Sequence, residues 1–170
     1  LNKWNQSRIS RLVVRKLHGS VAGKKICILG FAFKANTNDT RESASINICK
    51  HLIEEGAILF IQDPKVTSYQ ISIDLEKKEN QELKKIKDQN FLNNFEGEWC
   101  FEKNIFKAVE GADAVVVLTE WEEYTYIKWK DISKIMRKPS WVFDCRSVVS
   151  KDQVLKANLN LWKIGDGTLT

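Results

Sequence analysis

Two prolines, eight glycines, two histidines and one methionine are all that 170 residues contain of these types. So little proline and glycine excludes collagen-like and low-complexity architecture. With 43% apolar content the chain can bury one proper core, so a single domain is expected. Long apolar runs are absent too: AVVVL at 114–118 is far short of the roughly 18 to 20 residues that span a bilayer, and no membrane span is expected. No basic-then-apolar signal pattern opens the chain, which starts at Leu1 rather than Met, so it reads as the interior or C-terminal part of a longer polypeptide. Metal-binding patterns are missing as well. Cys27, Cys49, Cys100 and Cys145 form no CxxC pair, and neither His18 nor His51 stands at ligand spacing from them, so no metal site is expected.

Cys27 falls in an apolar strand and Cys49 on an apolar helical stretch, which suits reduced, buried thiols in a cytoplasmic protein. A nucleophilic cysteine needs a base and an electropositive niche, and the sequence supplies neither, so no catalytic residue is nominated. The net charge of +5 is compatible with an anionic ligand, with nucleic acid or with a lysine-rich surface. The lysine run EKKENQELKKIKDQN at 76–90 mixes both signs and has no aromatic to stack on bases. It reads as a solvated face, and no nucleic-acid partner is expected.

Residues 2–18 carry Trp4, Ile9, Leu12, Val13 and Leu17 at mostly three- and four-residue spacings, which predicts a helix with one apolar stripe and a stop at Gly19. KKICILG at 24–30 predicts a buried strand, and SASINICKHLIEEGA at 43–57 a helix with Ile48, Leu52 and Ile53 inward. AILFIQDP is the second strand. Residues 65–98 form the least regular stretch, read as a surface insertion with one short charged helix, and a short third strand is expected near WCFE. A helix over KNIFKAVEGA, a strand over DAVVVLTE, a helix around WKDISKIMR, a strand SWVFDCR, a short helix near KDQVLKA and a last strand LNLWKIG follow. Almost wholly apolar strands alternating with helices predict an α/β fold with a mainly parallel sheet covered on both faces, whose ligands bind outside the carboxyl ends of the strands.

The first such end reads GFAFKANTNDTRES. Asp39 and Glu42 fit a capping box, with Thr40 or Ser43 as alternative caps. Capping does not explain Lys34 and Arg41, cations placed just before and inside the expected first helical turn, where the macrodipole already makes the potential positive. A bound anion would reverse that penalty. The turn Gly30-Phe31-Ala32-Phe33-Lys34 brings bulky phenylalanines and no second glycine, so the GxGxxG dinucleotide fingerprint fails. Asp63 would be the ribose acid of such a site, but Asp-Pro after a strand is more often a turn. Phe33 and Lys34 together offer an apolar surface and a point charge suited to a nucleoside diphosphate. At the second end, WVFDCRSVV, Arg146 can fork onto phosphate or ribose oxygens or pair with Asp144. TEWEEY at 119–124 lines the same crevice or packs its rim, the rim being the expectation.

In order and spacing, KKICILGFAFKANTNDTRESASI, the Asp-Pro after strand two, GADAVVVLTEWEEY and WVFDCRSVV resemble the C-terminal UDP-binding domain of the UDP-glucose/GDP-mannose dehydrogenase family, on its UDP-glucose 6-dehydrogenase branch. The likeness covers about residues 1 to 165, apart from 65–98. It implies a Rossmann-like three-layer sandwich over 21–170, preceded by the end of a connecting helix at 1–20. It also implies a role within an enzyme that oxidises the C6 alcohol of UDP-glucose to a carboxylate in two NAD-dependent steps. NAD and the catalytic cysteine would belong to upstream NAD-binding and central domains of the same polypeptide, in a full-length homo-oligomer. By position, Phe33 and Lys34 would contact the UDP-sugar, Arg146 the nucleotide, and Arg41 the NAD. None of the four cysteines here inherits the catalytic role. Ala35, Asn36 and Asn38 replace a lysine, an aspartate and a glycine common in the family, and Cys145 a glycine. The alternatives are the same domain of a UDP-N-acetylmannosamine or GDP-mannose dehydrogenase, a non-catalytic nucleotide-binding module, and an NAD-binding domain in its own right.

Overall fold

The computed structural model describes residues 2–86 and 96–165. Strands β1 (Lys25–Leu29), β2 (Ile58–Gln62), β3 (Glu98–Phe101), β4 (Ala114–Val117), β5 (Trp141–Asp144) and β6 (Asn160–Lys163) form one sheet in the order β3-β2-β1-β4-β5-β6. Every neighbouring pair is parallel. The order reverses between β1 and β4, which defines the crevice where such sheets receive ligands. The central strands are almost wholly apolar, apart from Lys25 and the terminal Gln62 of β2, because both of their faces are covered. Lys25 is the exception in β1. Its Nζ donates to the carbonyls of Glu110 (2.8 Å) and Lys107 (3.3 Å) and lies 3.7 Å from the centroid of the Phe60 ring. Burial pushes its pKa down.

Helices α1 (Lys3–Lys16), α2 (Ala44–Glu54), α3 (Ser68–Leu75), α4 (Ile105–Val109), α5 (Trp129–Ile135) and α6 (Lys151–Lys156) complete the α/β alternation read from the sequence. Helix α1 packs on α2 through buried Ile9, Leu12 and Val13, and polar pairs flank that seam. Asn47 Nδ2 donates to Gln6 Oε1 at 2.8 Å, and Ser10 Oγ meets His51 Nδ1 at 2.5 Å. Trp4, expected on the apolar stripe, is 65% exposed and stacks under the Arg8 guanidinium instead. Ile9 stands five positions further on, a spacing that turns Trp4 off a stripe of period 3.6. The helix ends at Lys16, three residues before Gly19, with His18 already left-handed (φ 66°).

The stretch 65–98 opens with α3, capped by the Thr67 side chain and anchored by buried Ile71 and Leu75. Among the described residues of the charged run, Gln81–Lys85 forms a 3-10 turn around buried Leu83. The helix thus falls on SYQISIDL, which has an i,i+4 apolar pair to bury, and not on the lysine-rich run. Residues 87–95 of the expected insertion lie outside the described residues. The four cysteines are free and buried, and desolvation pushes Cys27 and Cys100 up to about 12 and Cys49 and Cys145 up as well, which makes them inert thiols. Among the described residues no helix is long and apolar enough to cross a membrane.

Candidate functional site

The carboxyl ends of β1, β4 and β5 carry three loops, and two buried aspartates shape them. Asp63, just past β2, is 1% exposed. Its Oδ2 accepts from the backbone N–H groups of Phe31 (2.8 Å) and Ala32 (3.0 Å) and from Trp121 Nε1 (3.2 Å). Its Oδ1 accepts from Lys65 and Val66 N–H, both at 2.9 Å. Asp63 is therefore a turn-maker, as the Asp-Pro reading favoured, and its oxygens are not free for a ribose. Asp144, at the end of β5, is fully buried and accepts from the N–H groups of Arg146 (3.1 Å), Val148 (2.8 Å) and Val149 (2.9 Å).

On this base the β1–α2 loop turns at Gly30. Phe31 and Ala32 are buried, while Phe33 is 45% exposed and Lys34 is exposed. Phe33 N–H donates to the Asp39 carbonyl at 2.7 Å, closing the loop, and Asn36 occupies the left-handed region (φ 66°), which asparagine tolerates. Thr119, just past β4, donates from Oγ1 to the Ala32 carbonyl at 2.9 Å. Trp121 and Tyr124 of TEWEEY are buried in the rim as expected, with the Tyr124 hydroxyl donating to Gln62 Oε1 at 2.7 Å.

Glu120 reaches into the crevice between them. Its Oε1 accepts from Ala35 N–H at 3.0 Å, and its Oε2 pairs with Arg146 Nη2. One carboxylate thus ties Ala35, the residue after Lys34, to Arg146, which joins the loop that carries Phe33 and Lys34 to the loop that carries Arg146 at the carboxyl edge of the sheet. The expected Asp144 partner of Arg146 is engaged elsewhere: its oxygens are consumed by backbone N–H groups below, and the guanidinium turns to Glu120.

Arg41 departs from the sequence expectation. Helix α2 starts at Ala44 behind Ser43, whose Oγ accepts from Ser45 N–H, so Arg41 precedes the helix and does not sit in its first turn. Its side chain forks onto Asp39, with Nη2 to Oδ2 at 2.8 Å and Nε to Oδ1 at 3.0 Å. An internal carboxylate thus relieves the penalty that seemed to require a bound anion. This pairing holds the Asp39 carboxyl down at about 2. The group's folded pKa lies below its unfolded value, so its contribution to stability is present above the ordinary carboxylate range and fades as pH falls through about 2. An NMR titration should show the Asp39 carboxyl midpoint near 2 and its rise towards the ordinary carboxylate range in Arg41→Ala, short of a full return because the backbone N–H of residue 41 still donates to Oδ1. An unchanged midpoint in the variant would show that the pair does not form in solution.

Against known proteins, residues 27–151 match the family described as the UDP-glucose/GDP-mannose dehydrogenase family, UDP binding domain. The chain belongs to that family. It is 36% identical over 166 residues to UDP-glucose 6-dehydrogenase of Drosophila melanogaster, covering 97% of this chain and 33% of that protein. It is 39% identical over 153 residues to the Bos taurus UDP-glucose 6-dehydrogenase, covering 88% of this chain and 28% of that protein. The chain spans about a third of the length of the curated relatives it matches. A UDP-glucose dehydrogenase structure from Pyrobaculum islandicum superposes with a TM-score of 0.66 at 20% identity, covering 95% of this chain and 29% of that one. At that identity the likeness is one of fold.

Within this UDP-glucose/GDP-mannose dehydrogenase domain, sequence reasoning placed TEWEEY on the rim without singling out Glu120 and read Asp63 as a turn, but it missed the long-range partners of both and the anchoring role of Asp144. Glu120 and Asp63 act through partners distant in sequence, as in the contacts of Glu120 with Ala35 and of Asp63 with Phe31 and Trp121, whereas Asp144 gathers the N–H groups of the loop that follows it. The one local signal was an acid directly following an apolar strand.

Proposed function

We propose that this chain is the UDP-sugar-binding domain of an NAD-dependent UDP-glucose 6-dehydrogenase, a cytoplasmic oxidoreductase that converts UDP-glucose to UDP-glucuronate in two steps for polysaccharide biosynthesis. The observation that supports the reading is the Glu120 carboxylate bridging Ala35 N–H and Arg146, which joins the loop of Phe33 and Lys34 to that of Arg146. An exposed aromatic, an ammonium and a guanidinium at a sheet switch point suit a base or sugar together with a diphosphate.

NAD itself does not fit the β1 turn. The Phe31 and Ala32 N–H groups that would have to meet a pyrophosphate already donate to Asp63, and a Thr119 side chain fills the space above Gly30. We assign NAD to an upstream domain, with exposed Arg41 reaching towards it and α1 as the end of the connector through a central domain. Catalytic groups then lie outside this chain, which does not turn over by itself, and the full-length protein is a homo-oligomer.

Two or three charge-assisted hydrogen bonds, less ordering costs, leave on the order of 4 to 6 kcal/mol. UDP should therefore bind this chain at millimolar to tens of micromolar concentrations. Titration calorimetry with UDP, UDP-glucose, GDP and NAD is expected to show selective uridine-nucleotide binding. Lys34→Ala and Arg146→Ala should each weaken UDP roughly tenfold or more. A preference for GDP would move the chain to the GDP-mannose branch, and unchanged UDP affinity in both variants would remove the crevice from consideration.

A further inference from the structure

The cation proposed to grip the diphosphate is already engaged. Arg146 pairs with Glu120, whose other oxygen accepts from Ala35 N–H. A guanidinium fork and a backbone N–H are the donors that a phosphate oxygen takes in anion sites. The Glu120 carboxylate therefore satisfies the donor set that a ligand phosphate would use.

Glu120 is well fixed for this position. It stands between buried Thr119, hydrogen-bonded to Ala32, and buried Trp121, hydrogen-bonded to Asp63. Arg146 is anchored through its own N–H on Asp144. The backbone on both sides is thus held, while the side chains of the pair remain 29% and 34% exposed for Arg146 and Glu120. An ion pair of that exposure is weak, so an incoming anion can separate it. Left in place, the carboxylate would repel a diphosphate arriving at the same rim.

Building on the nucleotide reading above, we propose that Glu120 is a built-in competitor for the ligand's phosphate: it holds Arg146 and the Ala35 N–H when the crevice is empty, and the diphosphate displaces it. The device sets specificity. Only a ligand that carries a phosphate can free Arg146, so a nucleoside gains nothing from the cationic rim. Removing the carboxylate strengthens phosphate-bearing ligands and leaves the nucleoside unaffected.

The test is calorimetric titration of UDP and of uridine into the wild-type chain, Glu120→Gln and Glu120→Ala, with thermal melts confirming that the variants fold. Both variants are expected to bind UDP roughly threefold or more tightly than wild type, the order of one partly exposed ion pair, with uridine affinity unchanged. Weaker or equal UDP binding in the variants, with wild type binding UDP, overturns the competitor role and leaves the nucleotide reading standing. Absence of UDP binding in all three proteins overturns both. A measurement on wild type alone gives a second check: in a 15N-labelled sample the Ala35 amide and Arg146 guanidinium signals should shift with UDP and not with uridine. An Ala35 amide that stays in place at UDP saturation also overturns the proposal.

Discussion

Replacing Asp63 with alanine is expected to lower the melting temperature by roughly 8–16 °C, the equivalent of about 4 kcal/mol in a chain of this size. The carboxyl group receives the N–H groups of Phe31, Ala32, Lys65 and Val66 and the Trp121 indole, from three separate loops. With the side chain gone, buried donors lose their acceptor in a pocket that was 1% exposed, and an unsatisfied buried donor costs about 1–3 kcal/mol before water enters. Asp63→Asn keeps one acceptor but points an amide N–H at groups that are themselves donors, so most of the loss should persist. Circular dichroism melts of both variants provide the check. A fall of only a few degrees in Asp63→Ala would mean that the loops are held chiefly by other contacts.

The second large effect is expected at Gly30. Its φ of +98° lies where a side chain is strained, and a Cβ built there would meet Thr119 Cβ and Oγ1 at 2.4 Å and the Thr119 backbone nitrogen at 2.7 Å. Rotating Thr119 cannot relieve the backbone contact. Gly30→Ala should therefore combine a dihedral penalty of about 1–2 kcal/mol with overpacking of about 1–3 kcal/mol. It also pushes Thr119 from its bond to the Ala32 carbonyl and so disturbs the loop that carries Lys34. Gly19 supplies the control: its φ is +84° with nothing within 4 Å, so Gly19→Ala reads the dihedral penalty alone. Urea denaturation of the two variants should give a midpoint clearly lower for position 30. Equal midpoints would show that β1 and β4 do not approach as closely as described.

The order of strands and helices was legible in the sequence because buried parallel strands are nearly continuous apolar runs, as in residues 58–61 and Ala114–Val117, and because polar breaks separate them. The placement of Lys34 and Arg146 on one rim followed from the same alternation, since both come just after strands that end at the same edge of the sheet. The start of α2 was less legible. Thr40, Arg41 and Glu42 form a turn with Glu42 at φ 60°, and Ser43 donates from Oγ to the Phe31 carbonyl, a contact made across the loop that local spacing does not encode. Trp4 shows the complementary failure, in which a near-periodic spacing at a helix end implied burial that no neighbouring element supplies. Glu120 was hidden because its two partners, Ala35 and Arg146, lie 85 and 26 positions away.

The anchoring of the rim from beneath bears on how the loop can drift. Its backbone course is written in Asp63 and closed by the hydrogen bond between Phe33 and Asp39, none of which involves the side chains at 35, 36 or 38. Substitution at exposed position 38 retunes the surface that a ligand meets and leaves the shape underneath intact, whereas position 36, at φ 66°, is confined to residues that tolerate the left-handed region.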